Sequence, residues 1–207
     1  MAKDVRMLMA ILSIILIIAI GYVVATGGDG RGTPESREPA TTSIVAATST
    51  YKDSGSKLKA SDFKVKDING NTVSLSDYRG RPVIIWFMAA WCPSCIYMSN
   101  IISQAIEGRD DVVVIMIDIW SKEFLQKAGI LGKPGYPPPD TVDKLRYFKE
   151  RYGKDDWIAV MDDGGLVSLY NVKYIDTVFV VDRDGSIVFG GGNVATVESL
   201  RAAISGG

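Results

Sequence analysis

Trp86-Phe87-Met88-Ala89-Ala90-Trp91-Cys92-Pro93-Ser94-Cys95 holds both cysteines of a 207-residue chain. It completes an apolar run, VIIWFMA from Val83 to Ala89, of the kind a strand covered on both faces shows. Beyond Cys92, Ile96, Met98, Ile101, Ile102, Ala105 and Ile106 recur at helical spacing on one broad face. The cysteines therefore fall where a buried strand hands over to an amphipathic helix. Cys92 takes the helix N-terminus, where unpaired backbone N–H groups and the macrodipole favour a thiolate. Pro93 falls in the first turn, where its missing N–H costs little.

A Cys-x-x-Cys pair serves either zinc or dithiol–disulfide exchange. The chain has no further cysteine and no histidine, so a site of four soft ligands cannot be assembled within it. The missing histidine also removes His-based triads and imidazole bases. A static disulfide across three residues closes a very short loop and constrains the unfolded chain little. Redox exchange is the reading that remains. Cys92 attacks, Cys95 resolves, and Pro93-Ser94 tunes the potential. No cofactor beyond the Cys92–Cys95 disulfide is expected, and no resident metal.

On either side of this junction the pattern alternates. DFKVKDINGNTVSL (Asp62–Leu75) reads as a hairpin around Asn69-Gly70-Asn71. Val112–Trp120 reads as a second buried strand, KEFLQKAGILG as a short helix, and Lys133–Asp140 as a stiff proline-rich loop. Thr141–Gly153 reads as a helix ending at glycine, and WIAVMDD as a strand. VFVVD and SIVFGG flank Arg183-Asp184-Gly185 as a second hairpin, and a helix over Thr196–Ile204, capped by Thr196, closes the chain. Strands alternating with helices require a mostly parallel central sheet, with antiparallel edges from the last hairpin. The expected class is α/β, three-layered, with a mixed sheet between helices.

The N-terminal region is different. Met7–Ala25 is 19 residues without a charge. As a helix it spans roughly 28 Å, close to the hydrocarbon thickness of a bilayer. Lys3 and Arg6 precede it and hold the short N-terminus in the cytoplasm. Residues 1–26 are thus expected to be a membrane anchor, 27–57 a flexible tether and 58–207 the compact domain. The rival is a cleaved signal with Val23 and Ala25 at the −3 and −1 sites, although the run exceeds the usual h-region. Both place the domain outside the cytoplasm, in a single-pass protein at the cell membrane if the anchor is kept. Ile44–Tyr51 has the composition of a short strand inside the tether. A net charge of −1, spread in both signs, argues against a nucleic-acid partner.

From Leu58 to Ile204 the chain resembles the thioredoxin fold, and more narrowly the membrane-anchored TlpA/ResA-like thiol–disulfide oxidoreductases. SLSDYRG ahead of the strand, Trp-Cys-Pro-x-Cys after it and Thr-x-Phe-x-x-Asp-x-Asp-Gly late in the chain carry the resemblance. It implies that Cys92 is the exposed nucleophile and Cys95 the resolving thiol, with protein thiols or disulfides as substrates. It also implies a membrane electron donor or acceptor, and commonly a reducing role. Trp91 matches a tryptophan that either shapes the docking surface or simply packs.

Three departures stand out. Asp176 occupies the slot of a cis-proline, between Ile175, whose counterpart offers backbone hydrogen bonds to substrate, and Thr177. A trans bond is expected there, because a non-proline cis bond costs about 2.5–4 kcal/mol. Asp176 either opposes the thiolate, relays a proton, gives a metal a third ligand, or is a solvent-facing loop carboxylate. Second, the buried acid of such proteins is missing. Trp86 stands six residues before Cys92 and Met98 three after Cys95, leaving Asp176, Asp118 or water as proton acceptor. Third, an insertion over Ala128–Asp140 carries Tyr136 and either rims a partner site or is a spacer. The rival function is a copper or zinc carrier using Cys92, Cys95 and Asp176. A peroxidase is a weaker rival, because Ala89 stands where peroxiredoxins place a threonine.

Overall fold

The computed structural model describes residues 58–190 and 194–206. The expected anchor, tether and Ile44–Tyr51 strand lie outside them. Among the described residues no helix is long and apolar enough to cross a membrane.

A hairpin of β1 (Lys64–Lys66) and β2 (Thr72–Ser74) comes first, turned by Asp67, whose carboxylate accepts from the Asn69 and Asn71 N–H groups. A 3-10 turn (Leu75–Tyr78) leads to β3 (Val83–Met88), then α1 (Pro93–Ala105), β4 (Val113–Asp118) and α2 (Lys122–Lys127). The insertion follows, then α3 (Val142–Tyr152), β5 (Ile158–Met161), α4 (Gly165–Leu169), β6 (Thr177–Val181), β7 (Ile187–Phe189) and α5 (Val197–Ser205). The five-residue α4 was not legible as a helix, since it spans barely more than one turn.

The main sheet has the order β5-β4-β3-β6-β7. β3 pairs in parallel with β4, and β4 with β5; β6 runs antiparallel to β3, and β7 to β6. The sequence placed the last hairpin at the edge, whereas of its two strands β7 alone is an edge and β6 lies inside against β3. The reason lies in β6 itself, whose Val178–Val181 is buried throughout. The β1–β2 hairpin forms its own two-stranded sheet.

β3 is central, and all six of its residues are buried. Ile84, Trp86 and Met88 point to the layer of α1, α3 and α5, meeting Ile102, Leu145, Phe148 and Leu200. Val83, Ile85 and Phe87 point to the opposite face, against Phe63, Leu75, Leu166 and Tyr170. Fully burying one such aliphatic or aromatic side chain contributes about 1.5–3 kcal/mol, so this two-sided strand is the anchor from which the site is hung. Gly153 ends α3, as the sequence indicates, and the structure adds a cap at its start, where the Thr141 side chain accepts from the Lys144 N–H.

Candidate active site

β3 ends at Met88, and the chain turns through Ala89, Ala90 and Trp91 into α1. Cys92 is the N-cap and Pro93 the first helical residue. The Cys92 N–H donates to the Ala89 carbonyl at 3.0 Å, and the Cys95 N–H to the Cys92 carbonyl at 3.2 Å. The Cys92 side chain makes no capping hydrogen bond to the backbone. Its sulfur instead lies 3.1 Å from the Ser94 hydroxyl, which is placed to hydrogen-bond with it. Both cysteines are free thiols. Cys92 is 8% exposed and Cys95 wholly buried, so an incoming sulfur reaches Cys92 first. Burial drives the Cys95 thiol far above its ordinary range, and the charge of Asp176 and the neighbouring Cys92 add to this.

Asp176 is not a solvent-facing loop residue. Its carboxylate and the two sulfurs lie within 4.8 Å of one another. No peptide bond among the described residues is cis, as expected for Asp176. Instead its backbone is left-handed, with φ at 70°. Its N–H donates to the Phe87 carbonyl at 2.8 Å, and the Trp86 indole N–H donates to its Oδ1 at 3.0 Å. The two departures at positions 86 and 176 are thus a single unit: the acid missing from β3 arrives from the entrance to β6, held by the tryptophan that replaces it. Thr177 donates its hydroxyl to the Tyr174 carbonyl at 2.6 Å, bracing the turn, while Ile175 packs against both core faces.

Asp118, at the end of β4, is fully buried, and Asp140, at the end of the insertion, is nearly so. Both accept from one donor, the Ala90 N–H, at 3.1 and 2.8 Å. Asp118 also accepts from the Trp120 N–H at 2.8 Å, and Lys144 lies 3.5 Å from Asp140. Burial and the charge of Asp140 push the Asp118 carboxyl up to about 8. Burial raises Asp140 as well, against the pull of Lys144. Asp118 was a candidate from its strand-end position; Asp140 was not, since nothing local separates it from a helix-flanking aspartate.

Trp91 is 37% exposed and packs edge-on against Trp120 at 5.3 Å, so it both packs and shows a face to solvent. Tyr136 of the insertion stacks on Trp120, whose indole N–H donates to the Pro137 carbonyl. Trp120, Tyr136, Phe124, Val172 and Ile175 line an apolar groove of about 490 Å³. Through Ile130 and Tyr136 the insertion lines this groove, which connects to the cysteine turn by the Trp91–Trp120 contact.

The AhpC/TSA family model matches residues 57–189. The chain belongs to the AhpC/TSA family. Within it, the chain is 28% identical to the thiol–disulfide oxidoreductase ResA of Geobacillus kaustophilus, over 90% of this chain and 87% of that one. It is 31% identical to a Mycobacterium tuberculosis protein named for the peroxiredoxins, over 71% and 92%. A thioredoxin-like protein from Aeropyrum pernix superimposes with a TM-score of 0.65 at 41% identity, covering 70% of this chain and 89% of that one. This AhpC/TSA member is a thiol–disulfide oxidoreductase of the thioredoxin-like type. Its Ala89 is wholly buried and brings no hydroxyl to the peroxidatic threonine slot.

Proposed function

We propose that Cys92 and Cys95 form a dithiol–disulfide couple that reduces disulfides of other proteins outside the cytoplasm, from a membrane anchor at residues 1–26. The observation that carries this is a slightly open Cys92 directly above a sealed Cys95 with a carboxylate at hand. The Cys92 thiolate attacks a substrate disulfide. A Cys92–substrate bond forms, the substrate S–S bond breaks, and the leaving sulfur takes a proton. Cys95 then passes its proton to Asp176 and attacks the Cys92 sulfur. The Cys92–Cys95 disulfide forms, the second substrate thiol leaves, and two electrons have passed from protein to substrate. A buried thiol held protonated needs such a base before it can resolve. The apolar groove beside Trp91 receives the residues flanking the substrate cysteine. Re-reduction falls to a membrane electron donor, because the only two cysteines are consumed in the turnover.

The location rests on the uncharged 19-residue run, and the reducing direction on the resemblance to ResA-like proteins. An insulin-type disulfide reduction assay tests the exchange. Wild type turns over and Cys92→Ser does not; a reduced, folded wild type whose Cys92 resists alkylating reagents would overturn the reading. The reduction potential of the couple tests the direction.

A second reading has one observation in its favour. Cys92, Cys95 and Asp176 offer three ligand atoms in one cluster, and Trp86 fixes one carboxylate oxygen while leaving the other for a copper or zinc ion. A stoichiometric metal in protein purified without oxygen, lost in Asp176→Ala and unaccompanied by thiol exchange, would favour that carrier.

A further inference from the structure

The insertion ends on Asp140, and Asp140 reaches the one backbone donor, the Ala90 N–H, that Asp118 also holds. Ala90 lies two residues before Cys92, in the turn that sets the angle between β3 and α1. Two buried carboxyl groups whose oxygens converge on one N–H cannot both carry charge at little cost, and burial together with the charge of Asp140 favours the protonated form of Asp118. We propose that Asp118 and Asp140 are positioning residues: a proton-sharing clamp that fixes the Ala90–Cys92 turn and makes the reactivity of Cys92 depend on the charge of the pair. The proposal rests on Cys92 being the exchanging sulfur.

The geometry supports the assignment from three sides. The clamp joins segments 28 and 50 residues away in sequence to the same amide. Asp140 is itself tied back, its own N–H donating to the Trp120 carbonyl at 2.9 Å, while the Trp120 N–H donates to Asp118. The turn, the strand end and the insertion are therefore one closed hydrogen-bonded ring. The charged groups that bear on the pair are few. Lys144 of α3 lies beside Asp140, about half exposed. At the end of β5, Asp162 is committed to the Leu166 and Val167 N–H groups. On the side of the turn and α1 the titratable groups are Cys92 and Cys95, with the Asp176 carboxylate beside their sulfurs, and Tyr97, which is exposed. With one proton in the pair, Lys144 balances the remaining charge. When that proton leaves, a second negative charge appears beneath the Ala90 N–H, disfavouring a thiolate at Cys92 and loosening the turn.

The test is the rate at which iodoacetamide alkylates Cys92 in the reduced full-length chain, from pH 5 to 10, in a Cys95→Ser background. With the clamp intact the rate rises as the thiol ionises, then falls about threefold below a simple titration above roughly pH 8. Asp118→Asn, which mimics the protonated acid, removes that second step. Lys144→Met deprives the pair of its cation and moves the step up by about half a pH unit, the modest shift a half-exposed partner allows. Curves for the background and Asp118→Asn that superimpose would overturn the clamp. Should Asp118→Asn not fold, an unmoved step in Lys144→Met does the same. If the second step behaves as stated while the protein fails to reduce insulin, the functional reading fails and the clamp stands.

Discussion

Asp176 sits in a left-handed backbone conformation that costs most L residues about 1–2 kcal/mol, and its side chain satisfies the buried Trp86 indole N–H. Two substitutions separate these roles. Asp176→Val brings a β-branched residue into φ 70° and orphans the indole, so it should destabilise the fold by about 3 kcal/mol in a denaturant titration. Asp176→Asn tolerates the backbone and keeps an oxygen for Trp86, so the fold should survive within about 1 kcal/mol. It removes the proposed base, however. Resolution by Cys95 should slow by about a hundredfold near neutral pH, with the mixed disulfide accumulating on non-reducing gels. The deficit should shrink as pH rises and hydroxide replaces the carboxylate. Cys95 itself leaves a pH signature. Its raised folded-state affinity for the proton means that the unfolded chain ionises first, so the reduced protein loses stability as pH rises past about 8.5. Cys95→Ala should abolish that slope in thermal melts.

Among the elements, α5 and the last hairpin show how local chemistry holds the frame. Thr196 and Ser199 form a reciprocal capping box at the start of α5. Thr196→Ala should cost about 1 kcal/mol, read from the shift of the urea midpoint at constant slope. Gly185 closes the β6–β7 turn with φ at +87°, and a Cβ there would fall 1.1 Å from the Arg79 guanidinium. Arg79 fills that space because it donates to the Asp184 carbonyl at 2.7 Å, tying the segment before β3 to the hairpin. Gly185→Ala should therefore cost about 2 kcal/mol, part from the positive φ and part from the expelled arginine. Combined with Arg79→Ala the cost should be less than additive, since the second change removes what the first displaces.

For the whole molecule, the acid–base groups set opposite slopes at the two ends of the pH range. Asp111, held between Arg109 and Arg183, and Asp62, Asp67 and Asp163, held by hydrogen bonds, keep their carboxyls below the ordinary range. Depressed groups stabilise the fold above the unfolded carboxylate range of about 4 and lose that stabilisation as pH falls through their folded values. Asp118 and Asp140 work in the opposite sense. Their raised folded values mean that the native state holds protons the unfolded chain has lost, so stability falls as pH climbs from about 4 towards 8. The melting temperature should be highest in the mildly acidic range. Asp118→Asn should reduce the drop between pH 6 and 9 by about 3 °C or more, seen by calorimetry. An unchanged drop would mean that the pair is ionised without cost.

Legible from the residues alone were the layers, the order of the strands and of every long helix, the cap at Thr196 and the placing of Cys92 and Cys95 at a strand–helix junction. These follow from periodicity and from residue chemistry over a few positions, which short segments carry within themselves. Even the departures at Trp86 and Asp176 were visible as odd residues in their slots. Tertiary structure alone decided that these two, 90 residues apart, hydrogen-bond to each other and place a carboxylate beside the sulfurs. It also decided that β6 lies inside the sheet, and that Asp140 joins Asp118 on the Ala90 amide. The physical reason is that a carboxylate's role is set by burial and by the donors that meet it. Those belong to how distant segments pack, not to the residues that stand beside it in the chain.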